Sequence, residues 1–324
     1  MGLFFFACCT LWQCRAPENK TQLPNVTGKM SELIVVCKSD VYNNKTADSL
    51  KTYFACPYEV LPQPEPLFDL IHVDPNNFNS LLMRHRNILM LEIFTDITDT
   101  LMMRKNVWAY PQLVVGIKGK DIASLLASVK QNRERITNAI EQAERKRTVS
   151  YYKRNLETDI NKKLQQHKIR LTIPFGYSLD VNTNDFIWLS FETQSVLKCI
   201  IVYYSPYDSV AVFTKEKLLA QRNAAGKKYI AGRIEGSYMT TDSSNAPVLF
   251  REFMLNNEYI GELRGLWKMV NGNYMGGPFV SISRIDHKHK RIITAEAFIY
   301  APNQEKRNMV RQAEAILYAL EIIE

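Results

Sequence analysis

Two periods run through the hydrophobic and polar positions of the chain. Apolar residues at spacing three and four mark helices, and short apolar or alternating runs bounded by Gly, Pro, Asn or Asp mark strands. Residues 33–37 read as a buried strand and 48–54 as a short helix. Residues 67–73 and 87–94 are strand-like, with a short helix over 75–83 between them, and 108–117 is a further strand. Pro57, Pro62, Pro64 and Pro66 make 56–66 an extended loop. Ile122, Leu125, Leu126, Val129, Ile136, Ile140 and Ala143 then recur on one helical face, and Tyr152, Leu156, Ile160 and Leu164 continue at spacing four. Thr148-Val149-Ser150 interrupts them, so the pattern predicts two helices or one kinked helix.

Strands return after that. Short ones over 169–173 and 177–181 flank Pro174-Phe175-Gly176, a pair is read over 186–192 and 198–204, and a helix over 214–223. Residues 248–300 read as a meander with turns at Asn256-Asn257, at Asn271-Gly272 and within 286–290; Asn-Gly is a strong hairpin signal. Val310, Ala313, Ile316, Leu317 and Leu320 give a helix over 304–322 one apolar face, which fits a helix lying across the meander. The expected fold is α+β: two mixed or antiparallel sheet-containing halves, 29–118 and 169–324, joined by a helical segment, 119–168. Residues 1–14 read as a signal peptide and 15–28 as a linker.

Those first residues carry the clearest functional signal. The 324-residue chain has no apolar run of the roughly 18–20 residues a spanning helix needs. Its one concentrated apolar stretch, 3–12, ends beside Cys14, and polar Arg15-Ala16-Pro17-Glu18-Asn19-Lys20 follows. This resembles a lipoprotein signal, in which the Cys becomes the acylated first residue. Leu11 suits the −3 position, whereas Trp12 and Gln13 are bulkier than usual next to the cleavage point. No Lys or Arg precedes the apolar run, so a start a few residues upstream is expected. A diacylglycerol plus an amide-linked chain would anchor stably. No acidic run follows Cys14, which favours the inner, periplasmic side of the outer membrane. After cleavage, Cys37, Cys56 and Cys199 match no metal knuckle or redox pair and allow at most one disulfide; Cys37 and Cys199, in apolar strand-like runs, read as buried small hydrophobes.

Charge sharpens one further segment. Between Lys118 and Arg170 stand 14 Lys or Arg and 6 Asp or Glu, an excess equal to the net +8 of the whole chain. The basic helices are therefore either a solvated face or a surface for anionic lipid or envelope polymer. Export argues against nucleic acid.

Chemistry is sparse. G-x-S-x-G, H-E-x-x-H, P-loop and G-x-G-x-x-G motifs are all missing, which removes the commonest hydrolase, metalloprotease and nucleotide signatures. No cofactor is expected. His287 and His289 form an H-x-H on a charged hairpin tip with no nameable third ligand, so no metal is expected either. His72 reads as a satisfied core histidine. If Asn256-Asn257 closes its hairpin, Arg251 faces Glu262, Arg264 lies two residues on along the same face, and Glu252 points the other way. The set Arg251, Glu252, Glu262, Arg264 and Trp267 is the candidate ligand site. The plain alternative is a cross-strand Arg–Glu pair of structural value only. Glu296 and Tyr300 would complete a cleft. Met275-Gly276-Gly277-Pro278 marks a bulge or close backbone approach.

Several stretches resemble one family: Leu61-Pro62-Gln63-Pro64-Glu65-Pro66, His85-Arg86-Asn87-Ile88-Leu89, Glu235-Gly236-Ser237-Tyr238-Met239-Thr240-Thr241, Arg251-Glu252-Phe253, Gly261-Glu262-Leu263-Arg264-Gly265-Leu266-Trp267, Met275-Gly276-Gly277-Pro278-Phe279 and Tyr300-Ala301-Pro302. They are similar to an uncharacterised envelope lipoprotein family of Bacteroidota, domain of unknown function 4837, over nearly all of the chain after the linker. The resemblance implies envelope location and lipid attachment, and no activity. The expectation is a non-catalytic binding or assembly factor, with an envelope hydrolase or transferase on the meander as the alternative.

Overall fold

The structure is a computed structural model describing residues 22–95, 100–209, 212–272 and 274–323. Cys14 and the apolar run before it lie outside the described residues.

The first sheet holds β1 (Glu32–Val36), β2 (Asp69–Val73), β3 (Asn87–Ile93), β4 (Thr100–Lys105) and β5 (Leu113–Gly119) in the order β2-β1-β3-β5-β4. β2, β1, β3 and β5 run parallel, with β4 antiparallel at the edge. Leu33-Ile34-Val35-Val36 is apolar at every position because both faces of the strand are covered. Helices α1 (Asn44–Phe54) and α2 (Ile122–Tyr152) cover one face through Leu33, Val35, Leu50, Leu125, Val129 and Ile136. The other face carries no α-helix among the described residues: Ile34, Val36, Ile88 and Val114 pack under Phe78, Leu82, Met83 and Trp108, and the short helix expected over 75–83 is two 3₁₀ turns, Pro75–Asn77 and Leu82–Arg84.

Three expectations change here. The helix does not break at Thr148, whose hydroxyl donates to the Glu144 carbonyl one turn back at 3.0 Å and so stays satisfied within the helix. α2 runs on to Tyr152, and the interruption falls over residues 153–157, before α3 (Thr158–Leu164). The edge strand β4, Thr100-Leu101-Met102-Met103-Arg104-Lys105, was not expected; it takes its shape from pairing with β5. Residues 108–112 form a turn, so the strand expected from 108 begins at Leu113.

The second sheet is an eight-stranded antiparallel half-barrel. It contains β7 (Ser178–Asn182), β8 (Phe186–Glu192), β9 (Leu197–Pro206), β10 (Tyr238–Thr241), β11 (Leu249–Leu255), β12 (Glu258–Val270), β13 (Gly276–Asp286) and β14 (Arg291–Tyr300). The order is β10-β12-β13-β14-β9-β8-β7, and β11 pairs with the first half of β12. A small pair, β6 (Ile169–Arg170) with β15 (Glu321–Ile322), ties the chain end back. Asn256, Asn257 and Asn271 all take positive φ, which Asn tolerates in tight turns. Gly276 and Gly277 allow the close approach expected of them. A Cβ on Gly277 would overlap the Ile299 carbonyl, and one on Gly276 would sit 2.7 Å from the Trp267 carbonyl. α4 (Lys215–Tyr229) covers one face of this sheet and α5 (Arg307–Tyr318) the other. The fold is α+β, with the C-terminal helix across the meander.

Candidate functional site

Strand parity assembles the candidate residues and divides them. On β12, Glu262 and Arg264 share the face toward α5, while Leu263 and Trp267 share the face toward α4. Arg251 stands opposite Glu262 as expected. Glu252 is exposed on the other side, and Trp267 packs against Phe298 with its indole N–H donating to the Ile299 carbonyl at 3.2 Å. The structure therefore gathers Arg251, Glu262 and Arg264 and leaves Glu252 and Trp267 apart. Glu296, expected to line the same cleft, sits across Ser281 on the opposite face.

The gathered residues lie in a buried charge junction. Arg264 Nε and Nη2 donate to the two oxygens of Glu262 at 2.8 and 3.1 Å, a bidentate pair. Arg264 also donates to Glu314 on α5 and to the Tyr58 hydroxyl, which in turn donates to Glu314 at 2.9 Å. Tyr318 donates to Glu262 at 2.7 Å. Arg145 on α2 lies 4.0 Å from Glu314, with its guanidinium 4.2 Å from the Tyr318 ring centre. Arg311 pairs with Glu141 at 3.3 Å, and Arg251 reaches both Glu59 and Glu262. The loop over 56–69, the long helix α2, the meander and α5 thus meet through side-chain charge.

The electrostatics follow from that crowding. Burial opposes the Arg264 charge, but Glu314 and Glu262 outweigh it and hold its pKa well above the usual value. Burial also pushes the Glu314 carboxyl up; Arg264 and Arg145 reverse this and leave it below its ordinary value. Burial raises the Tyr58 and Tyr318 hydroxyls, so both stay protonated and donate. Beside the junction lies a cavity of about 10 Å³ lined by Met30, Glu141, Glu144, Arg145, Thr148, Arg311 and Glu314. That volume holds about one water molecule. Chemically, the junction pins ionised groups to one another and offers no room for a substrate at Glu262.

A second buried pair lies on the opposite face. Arg222 of α4 donates to Glu296 and to Thr241, each at 2.8 Å, with its guanidinium 3.6 Å above the Phe279 ring. Burial raises the Glu296 carboxyl even against Arg222. The histidines do not converge. His289 binds Asp286 at 2.8 Å, His287 meets Tyr207 edge-on, and His72 stacks on Tyr42 with Nε2 3.0 Å from the Cys37 carbonyl. Among the described residues no three His, Cys, Asp or Glu are placed to hold a metal.

A family model matches residues 155–319, half of the chain, including the whole meander and α5. The chain belongs to the family described as Domain of unknown function (DUF4837). A second model, Domain of unknown function (DUF8532), matches residues 26–153. The two matches meet after α2. The DUF4837 part supplies Glu262, Arg264, Glu314 and Tyr318; Tyr58, Glu59, Glu141 and Arg145 fall in the DUF8532 match. No curated protein matches the chain. Among solved structures, the PsbP protein CyanoP of Synechocystis sp. PCC 6803 is similar at 8% identity and TM-score 0.32, covering 48% of this chain and 88% of its own. The Ran-binding protein Mog1p of Saccharomyces cerevisiae is similar at 8% identity and TM-score 0.32, covering 50% and 93%.

Sequence reasoning missed half of the DUF4837 junction. Arg307, Arg311, Glu314 and Tyr318 recur at spacing four, three and four, a polar stripe beside the apolar face of α5. Glu141, Arg145 and Thr148 make a similar stripe on α2. A polar stripe flanking a core face was the available signal.

Proposed function

We propose that this chain is a lipid-anchored envelope protein, held at Cys14 to the outer membrane with its folded part in the periplasm. It acts there as a non-catalytic binding or assembly factor. What supports the non-catalytic reading is the saturation of Glu262: both oxygens accept from Arg264, and Tyr318 adds a third bond. A carboxylate so held is a poor general base, and its side chain is only 1% exposed. What supports the anchor is the apolar run ending at Cys14. The surface for an anionic lipid or envelope polymer is α2, where Lys130, Arg133, Arg135 and Lys146 are exposed, continued by exposed Lys153 and Arg154 just after the helix.

Two measurements test this. Mass spectrometry of the protein from its own cells should find Cys14 acylated at the new N-terminus; an unmodified Cys14 removes the anchor. Glu262→Ala should lower the melting temperature in step with any loss of phenotype. A variant that stays fully folded yet loses all phenotype instead makes the meander a hydrolase or transferase site.

A further inference from the structure

Residues 24–27 were expected to belong to a free linker, but they are built into the body. Val26 N donates to the Tyr110 carbonyl at 3.1 Å and Tyr110 N to the Pro24 carbonyl at 2.8 Å. Thr27 N donates to the Arg84 carbonyl at 2.9 Å, and Arg86 N to the Thr27 carbonyl at 3.1 Å. The Arg84 guanidinium closes on the Asn25 carbonyl at 3.1 Å. The direction in which the chain leaves the fold is therefore fixed between the turn before β3 and the turn before β5. Gln112 locks these turns together, donating to the Met83 and His85 carbonyls at 2.6 and 2.7 Å.

This exit carries apolar side chains that the fold does not cover. Leu23 is 38% exposed, Leu81 64% and Tyr110 58%. They border the sheet face that no α-helix among the described residues covers, where Leu82, Met83 and Trp108 are themselves only partly buried. The charge beside them is basic. Arg104 and Lys105 at the end of β4 are exposed and make no ion pair among the described residues. The Glu32 carboxylate at this end is used internally, accepting from Lys29 N and pairing with His85 at 3.2 Å.

We infer that this end of the first sheet, centred on Leu23, Leu81 and Tyr110 with Arg104 and Lys105 beside them, is the face that rests on an anionic bilayer. The inference rests on the anchored reading above and adds an orientation: α2 covers the opposite face of the first sheet, so its exposed basic side chains are left to an envelope polymer and not to the bilayer. From Cys14 to Gln22 the chain spans eight residues, at most about 27 Å when fully extended. An anchor at Cys14 holds this face, not α4 or the tip of the meander, next to the headgroups. Apolar tips enter the interface while Arg and Lys meet lipid phosphates.

The test uses the mature chain from residue 14 on with Cys14→Ser, which carries neither the apolar run 3–12 nor an acyl group, so binding reports on the folded part alone. Sedimentation with phosphatidylethanolamine–phosphatidylglycerol vesicles should exceed that with phosphatidylcholine vesicles. Leu23→Asp with Leu81→Asp should weaken it at least about tenfold, since two apolar side chains leave the interface and two charges enter it. Both sites are exposed, so the melting temperature should not move. Arg104→Glu with Lys105→Glu should abolish the preference for anionic vesicles at low salt and leave the remainder salt-insensitive. Absence of vesicle binding, or equal binding by the Asp variant, overturns the inference, whether that face is then bare or covered by a protein. The state of Cys14 in cells is read separately, so loss of the anchor and loss of the face are distinct results.

Discussion

Removing Arg264 should expose how the charge junction holds the protein together. Its side chain is buried between Glu262 and Glu314, both buried carboxylates. Arg264→Ala leaves two like charges without their shared partner, and breaking a buried pair from one side costs about 3–5 kcal/mol. At roughly 2 °C per kcal/mol for a chain of this size, the melting temperature should fall by about 6–10 °C. Arg251→Ala removes a half-exposed pair with Glu59, worth under about 1 kcal/mol, and should move it by about 2 °C or less. The pH dependence gives an independent check. In the native protein Glu314 sits below its ordinary value of 4.5, so its contribution is present above that pH and fades as pH falls. Without Arg264, burial raises the Glu314 carboxyl, and the variant loses stability as pH rises above about 4.5. The gap between variant and native protein should therefore be widest near pH 7.5 and narrow toward pH 5. Melting by circular dichroism at both pH values decides it. A fall no larger than that of Arg251→Ala, or a gap that does not change with pH, refutes the reasoning.

The pair on the opposite face should behave differently when replaced whole. Arg222→Ala alone should cost about 3 kcal/mol or more, whereas Arg222→Met combined with Glu296→Leu should be near neutral, read as denaturant midpoints. Gly277→Ala should destabilise by about 1–3 kcal/mol, because its Cβ would overlap the Ile299 carbonyl; an unchanged midpoint would deny the close approach. Among Cys37, Cys56 and Cys199, only half-buried Cys56 should react with a thiol reagent at pH 8 in the native state. Burial pushes the other two thiols up to about 12, with Asp74 adding to the effect at Cys37, and peptide mapping by mass spectrometry reads the result.

The second half was largely legible because its signals are local. Asn256-Asn257 dictates a two-residue turn through its own backbone preference, and the period of two then fixes which residues share a face; Asn271-Gly272 marks the next reversal, but as part of a wider loop, since β12 and β13 pair only as far as Lys268 and Gly276. The Arg251–Glu262 pairing came out of that counting alone. Parity also shows why Trp267 could never join Glu262: five positions apart on one strand, they point to opposite faces. β4 was not legible. Met102, Met103, Arg104 and Lys105 have no strong strand preference, and the pairing with β5 decides their conformation. The basic segment was legible as helix and charge, yet its sequence did not separate Arg145 and Arg147, which turn inward, from Lys146, which stays in water.

Local chemistry therefore determined the helices, the hairpins, the antiparallel meander and the location of the excess charge, since these depend on neighbours within a few residues. Tertiary structure alone decided the rest. Tyr58, Arg145, Glu262 and Glu314 come from four distant stretches, and only the packing of α2 and α5 brings them into one network of hydrogen bonds and ion pairs around Arg264. A buried charge is tolerated only where partners converge from all sides, and that convergence belongs to the fold as a whole.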